Sequence, residues 1–133
     1  MEPQVPRIPH EGQSQMFRSA RHFTLFSYKG ERGELLLRSR KSSEFPTRLD
    51  VLITDVSALE IRCWSDGLTI EETDIQNIQG KGSRPQEIAE GRRAFSVTGT
   101  EWSGFIVGGA VYTHEDDRHW TDPSVWDIEE LES

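Results

Sequence analysis

The chain has 133 residues, a formal net charge of -8 and one cysteine. This length suits a single domain that buries a core without metal or disulfide support, and one cysteine excludes an internal disulfide. The apolar runs are far shorter than the ~20 residues that cross a bilayer, and the first residues lack a signal-peptide pattern. The composition therefore predicts a soluble, cytoplasmic protein without a membrane partner.

The negative charge is concentrated at one end of the chain. Residues 1–113 hold 14 Lys and Arg against 15 Asp and Glu, whereas residues 114–133 hold one Arg against eight acids. An acidic end repels phosphate and attracts cations, so direct nucleic-acid binding is disfavoured and a basic protein is the expected partner. A smaller basic cluster comes earlier, formed by Arg38, Arg40, Lys41 and Arg48.

The first half of the chain reads as an arm followed by short strands. Residues 1–15 carry three prolines and little apolar content, which predicts an extended arm before one β-rich domain over 16–133. Residues 22–28 and 34–40 are β-prone and flank the turn sequence GERG, which predicts a hairpin. In 47–54, Leu49, Val51 and Ile53 alternate with polar residues, as in a half-buried strand.

The second half continues this pattern with interruptions. Residues 59–63 and 68–71 alternate as strands, with Asp66-Gly67 as the turn between them. A long excursion follows over 72–93, with a short helix predicted near 84–90. Strands are predicted over 94–98 and 104–113, where Gly108 and Gly109 mark a bulge or a close backbone approach.

The predicted fold is a mainly-β single domain, an antiparallel sheet of about seven strands that forms a sandwich or an open barrel. Several short alternating segments favour this class, because an α/β fold needs long helical crossovers. One or two short helices complete it. The second is predicted over 123–130, since Asp122-Pro123 has the form of an N-cap followed by a first-turn proline.

Catalytic and metal sites have weak signals, so the sequence predicts neither, and no cofactor. The chain lacks zinc and calcium spacings, although five neighbouring residues are capable ligands: His114, Glu115, Asp116, Asp117 and His119. Cys63 alternates with Leu59 and Ile61, which is typical of a small buried hydrophobe rather than a nucleophile. The chain is therefore expected not to be an enzyme.

The acidic end also contains large aromatic residues. Trp120 and Trp126 lie between its carboxylates, and tryptophan is enriched among the residues that dominate protein interfaces. Carboxylates would speed encounter with a basic surface while indole rings supply contact area. The expected partner-binding residues are Glu115, Asp116, Asp117, Trp120, Asp122, Trp126 and Asp127.

Two long segments carry a family resemblance. The stretch GELLLRSRKSSEFPTRLDVLITDVSALEIRCWSDGLTIEE and the later AFSVTGTEWSGFIVGGAVYTHED resemble small β-rich immunity proteins of bacterial polymorphic-toxin systems. The likeness lies in the pattern of strands. It implies a cytoplasmic inhibitor that binds one cognate toxin domain, often a basic one.

Three interpretations of the charge pattern stay open at this level. The first is a non-catalytic immunity or inhibitor protein that neutralises a basic toxin or effector domain. The second is a small β-barrel that binds, or acts on, an anionic ligand through Arg38, Arg48 and Arg62. In the third, 114–133 docks on the protein's own Arg38–Arg48 surface, which makes the charge segregation structural.

Overall fold

The computed structural model describes residues 16–74 and 91–127, which form one antiparallel sheet of eight strands. The predicted mainly-β class is confirmed, with one more strand than expected. The strands are Met16–Lys29 (β1), Glu34–Ser39 (β2), Arg48–Ile53 (β3), Ala58–Glu60 (β4), Trp64–Thr73 (β5), Arg93–Gly99 (β6), Trp102–Gly108 (β7) and Val111–Asp116 (β8).

The sheet is open but strongly curved. Its order is β4-β7-β6-β5-β1-β2-β3-β8, so β3 and β4 lie far apart in the sheet although only residues 54–57 connect them. The β7–β8 connection at 109–110 is shorter still. Hydrogen bonds from Gly109 N to Thr54 O (2.7 Å) and from Thr54 N to Ala110 O (3.0 Å) join the two connections. The two ends of the sheet are therefore drawn towards each other.

The concave face of the sheet holds the core. Alternation places Leu35 and Leu37 of β2 and Val51 and Ile53 of β3 on this inner face, where they pack with Phe23, Leu68, Ile70, Phe95, Val97 and Ile106. Full burial of one such side chain stabilises the fold by about 1.5–3 kcal/mol. The predicted apolar face of β3 is confirmed.

Two sequence predictions in the second half are wrong in detail. The proposed strand 104–113 is two strands, because the chain turns at Gly109 to approach Thr54. Asp66 and Gly67 lie inside β5 rather than in a turn. There, Gly67 has φ +74° and lies opposite a register shift in β1. This shift is a β-bulge, and glycine adopts the positive φ at little cost because it has no Cβ.

The alternation pattern also predicted the wrong position for Cys63, which it placed as a buried residue. The strand predicted over 59–63 ends at Glu60, and Cys63 is exposed in the connection to β5. The period-2 rule holds only while the backbone stays extended, so it does not apply to residue 63.

The predicted helices are only partly within the described residues. A single helical turn over 125–127 corresponds to the start of the predicted helix 123–130. The predicted helix 84–90 and the arm 1–15 lie outside the described residues. Within the described ranges, no helix has the length and apolar character needed to cross a membrane.

Candidate functional site

Charged side chains line up on the convex face of β2, β3 and β8. The strand register pairs Arg38 with Asp50, Asp50 with His114, and Arg48 with Asp116. Side chains at paired positions point to the same face, so these five form one group. We call it the buried charge cluster, because Arg38, Arg48, Asp50 and His114 are each at most 4% exposed.

Arg38 links the sheet to the chain after β8. Its Nε donates to Asp50 Oδ1 at 2.7 Å and its Nη2 donates to Asp50 Oδ2 at 3.0 Å. Its Nη1 donates to the carbonyl oxygens of Trp120 (2.6 Å) and Asp122 (2.9 Å). The Phe26 ring lies 3.8 Å from the guanidinium carbon. Arg38 thus holds residues 120 and 122 against β2.

Arg48 makes the same two kinds of contact, with Asp116 as its carboxylate partner across β3 and β8. Its Nε and Nη2 donate to the two carboxylate oxygens of Asp116 at 3.0 and 2.9 Å. Its remaining hydrogens reach the carbonyl oxygens of His119, Asp122 and Pro123 at 2.9, 2.8 and 3.2 Å. The planar fork of five N–H groups suits arginine, and not lysine, to this combination of carboxylate and carbonyl acceptors.

The cluster is electrically balanced. Two guanidinium groups face the two carboxylates of Asp50 and Asp116, and Arg48 Nη2 also lies 3.9 Å from Asp50 Oδ2. A buried charge without a partner costs several kcal/mol, so each member depends on the others. The segment 117–127, which we call the covering segment, supplies the carbonyl oxygens that complete the arginine shells.

Asp116 is held in its ionised form. Burial favours the neutral acid, but hydrogen bonds from Arg48 and from the Arg118 N–H, together with the positive charge of Arg48, outweigh it. The pKa of the Asp116 carboxyl is therefore below its ordinary value of 3.8.

Most of the other predicted binding carboxylates also contact the protein itself. Asp127 pairs with Lys29 of β1, and Glu115 contacts Arg21 and Thr47. The Asp122 carboxylate accepts from the His119 N–H at 3.1 Å. These carboxylates therefore bind groups within the molecule, whereas the sequence analysis expected them to bind an external partner.

The two indole rings have different environments. Trp126 is half-buried and meets the His114 ring edge to face, with centroids 6.1 Å apart. Trp120 is 42% exposed, although its ring packs against Phe26 and its carbonyl is fixed by Arg38. The guanidinium of Arg40 lies 5.8 Å from the Trp120 ring centre.

The structure thus separates the seven predicted binding residues into two groups. Asp116, Asp127 and Trp126 link the covering segment to the sheet. Glu115 contacts Arg21 and Thr47 instead, and the Asp122 carboxylate bonds within the covering segment. Trp120 and Asp117 are exposed. The docking matches the third interpretation, in which the acidic end meets the Arg38–Arg48 surface.

Sequence reasoning missed the central role of Asp50 and the contribution of Arg21. One signal was present for Asp50. It shares a face with Arg48 in an otherwise apolar strand, and two opposite charges two residues apart on a strand indicate a paired polar face. Arg21 reaches Glu115 from a strand that is not its neighbour, and no local pattern reports that contact.

The proposed anionic-ligand site through Arg38, Arg48 and Arg62 is not assembled as expected. Arg38 and Arg48 donate to carboxylates and carbonyls within the protein, and Arg62 is exposed in the β4–β5 connection. Among the described residues, no three His, Cys, Asp or Glu side chains are grouped as metal ligands.

No protein-family model, curated protein or solved structure matches this chain.

Proposed function

We propose that this chain is a non-catalytic protein-binding module that acts in the cytoplasm and neutralises a basic partner, such as a toxin or effector domain. The proposal takes its partner class from the acidic composition and from the resemblance to immunity proteins. The observation that carries it is the preformed loop 117–122, which presents Trp120 to solvent.

The loop is fixed before any partner arrives. Arg38 and Arg48 together make five hydrogen bonds to carbonyl oxygens of residues 119, 120, 122 and 123. Ordering a loop on binding costs free energy, so a loop that is already held binds more tightly with the same contacts. This arrangement supports recognition by 117–122, because covering the sheet alone would not require an exposed indole.

Trp120 has the properties of an interface anchor. Its ring makes a T-shaped contact with Phe26 and has the Arg40 guanidinium over it, while 42% of the residue stays accessible. Tryptophan and arginine are the residue types most enriched among interface hot spots. A partner that covers this ring would gain apolar contact area at little cost in side-chain entropy.

The protein still attracts a basic partner at long range, although several of its carboxylates pair with its own arginines. Each ion pair in the buried charge cluster is neutral, and the formal net charge of -8 already includes those cations. The potential far from the molecule follows this net charge, so a basic partner is still steered towards the protein. Near the loop, Asp117 is the exposed carboxylate closest in sequence to Trp120.

The test measures binding to a panel of purified, catalytically inactivated basic toxin domains by calorimetry at low and physiological salt. The proposal predicts that at least one domain binds, more weakly as salt rises. Trp120→Ala should lower that affinity by roughly 30-fold, the scale of a hot-spot residue. Asp117→Lys should slow association.

Matched controls exist elsewhere on the surface. Trp64→Ala removes an indole that is 54% exposed on β5, and Glu31→Lys reverses an exposed carboxylate in the β1–β2 turn. Glu31→Lys separates the effect of net charge from that of position. Binding that is indifferent to both salt and Trp120→Ala would contradict the proposal, as would failure of every domain to bind.

A further inference from the structure

The convex face of β1, β5 and β6 carries a groove that both polar and apolar atoms line. Its volume is about 420 Å³, and its lining includes Arg18, Ser19, Asp66, Thr69, Thr98 and Thr100. The groove exists because β1 and β5 lose register between Ser19 and His22, opposite Gly67 at φ +74°. Bulges of this kind frequently lie beside binding sites, where they redirect side chains.

An aromatic platform adjoins this groove. Trp64 of β5 is 54% exposed, and the His22 ring stacks on it with centroids 5.8 Å apart and planes 23° from parallel. His22 Nδ1 lies 2.6 Å from Asp66 Oδ1, so the carboxylate that lines the groove also orients the platform. The His22 ring covers one face of the Trp64 ring.

The platform and the groove form one elongated surface. The register pairs Thr24 with Trp64, His22 with Asp66, and Arg18 with Thr69. A strand rises about 3.3 Å per residue, so the distance from residue 64 to residue 69 is about 16 Å. An elongated ligand that lies along β5 would contact the indole at one end and the hydroxyl groups at the other.

We propose that this surface is a binding site for a neutral saccharide. A sugar ring has an apolar C–H face that packs on an indole, and hydroxyl groups that both donate and accept hydrogen bonds. Asp66 accepts such bonds, Arg18 donates them, and the hydroxyls of Thr69 and Thr98 do both. The Thr100 hydroxyl donates to the Asp66 carbonyl oxygen at 2.8 Å and is left as an acceptor. Ligand sites of this size typically combine an aromatic surface with a few polar groups that fix orientation.

The charges favour a neutral ligand over an anionic one. One guanidinium, Arg18, and one carboxylate, Asp66, line the groove, so they largely cancel. A single-stranded nucleic acid also stacks on exposed aromatic rings, but it requires a positive channel along its phosphates. The net charge of -8 opposes that alternative.

The experiment titrates the full chain with cellotetraose, maltotetraose and tetra-N-acetylchitotetraose, followed by tryptophan fluorescence and calorimetry. At least one neutral tetrasaccharide should bind and change the fluorescence. Trp64→Ala should weaken that binding about tenfold, the loss expected for one stacking ring. Asp66→Asn should weaken it as well, by removing the charged acceptor and loosening His22.

Trp120→Ala is the matched control, because it removes another exposed indole and should leave saccharide affinity unchanged. Tetragalacturonate and a short oligothymidylate test the anionic alternatives. The proposal is overturned if no neutral tetrasaccharide binds at millimolar concentration, if binding ignores Trp64→Ala, or if either anionic probe binds more tightly. This result is independent of the toxin-domain measurement, which depends on Trp120.

Discussion

Arg48 and Asp116 face each other across β3 and β8 and share two hydrogen bonds, Nε to Oδ1 at 3.0 Å and Nη2 to Oδ2 at 2.9 Å. The arginine is 0% exposed. Because the same guanidinium also holds carbonyls of the covering segment, this pair joins the core sheet to the surface that we propose meets a partner.

Removal of one member of this pair should strongly destabilise the fold. Arg48→Met leaves the Asp116 carboxylate without its main partner, and loss of one charge from a buried pair costs about 3–5 kcal/mol. Urea unfolding at neutral pH measures the change. The double variant Arg48→Met with Asp116→Leu should cost less than Arg48→Met alone, because neither charge is then stranded.

An exposed ion pair provides the control. Arg32 and Glu34 lie 3.7 Å apart, with 49% of the arginine and 32% of the glutamate side chain exposed, so Arg32→Met should change stability by only about 0–1 kcal/mol. Equal losses from Arg48→Met and Arg32→Met would show that the cluster contributes no more than a surface pair.

The free energy of unfolding should fall in acid because the Asp116 carboxylate becomes protonated. Its pKa is lower in the folded protein than the ordinary value of 3.8, so the unfolded chain binds the proton first as pH falls. The stabilisation is therefore complete above pH 3.8 and is lost as pH falls through the lower folded value. Unfolding free energy measured from pH 6 to pH 2.5 should show this loss.

The variant Asp116→Asn separates this carboxyl from the others. It should be less stable than the wild type at neutral pH, and the difference should shrink as the pH falls below 3.8. A difference that stays constant over the whole range would mean that Asp116 ionisation does not support the fold.

Local patterns in the sequence predicted the sheet class well. Alternation in β3 placed Val51 and Ile53 correctly in the core, because successive side chains of an extended strand point to opposite faces of the sheet. The same rule failed at Cys63, and the Asp66-Gly67 turn signal failed inside β5, where the backbone departs from regular extension. Those departures depend on bulges and connections that periodicity does not describe.

The site was harder to predict for a different reason. Composition located the charged end, but whether Asp116 faces solvent or Arg48 depends on the pairing of β3 with β8, 68 residues apart in sequence. Charge counts carry no information about such partners. The sequence analysis therefore named Asp116 and Asp127 but assigned them to an external partner, whereas both form ion pairs within the molecule.

Gly104 should be intolerant of any side chain. A Cβ at this position would collide with the Glu60 carbonyl, where β4 lies against β7. Gly104→Ala should therefore destabilise the protein by about 1–3 kcal/mol, the usual cost of forced overpacking. Gly30→Ala is the control, since its Cβ would meet only Tyr28 at 3.9 Å. Similar melting temperatures for the two variants would argue against the close β4–β7 contact.

Cys63 should react in the native state. The thiol is exposed in the β4–β5 connection, so a thiol reagent such as dithionitrobenzoate should label one cysteine per chain without denaturant. The rate should approach that of the unfolded chain. Labelling that requires urea would instead support the buried position that the alternation pattern indicated.

The central claim is that Arg38 and Arg48 hold the covering segment in a fixed form on the sheet. Hydrogen exchange of the arginine Nη–H groups, followed by ¹⁵N NMR, tests it most directly, because Nη1 of both arginines donates to carbonyl oxygens of the covering segment. The account predicts slow exchange at Arg38 and Arg48 and fast exchange at the exposed Arg40 and Arg118. Equally fast exchange at all four would contradict it.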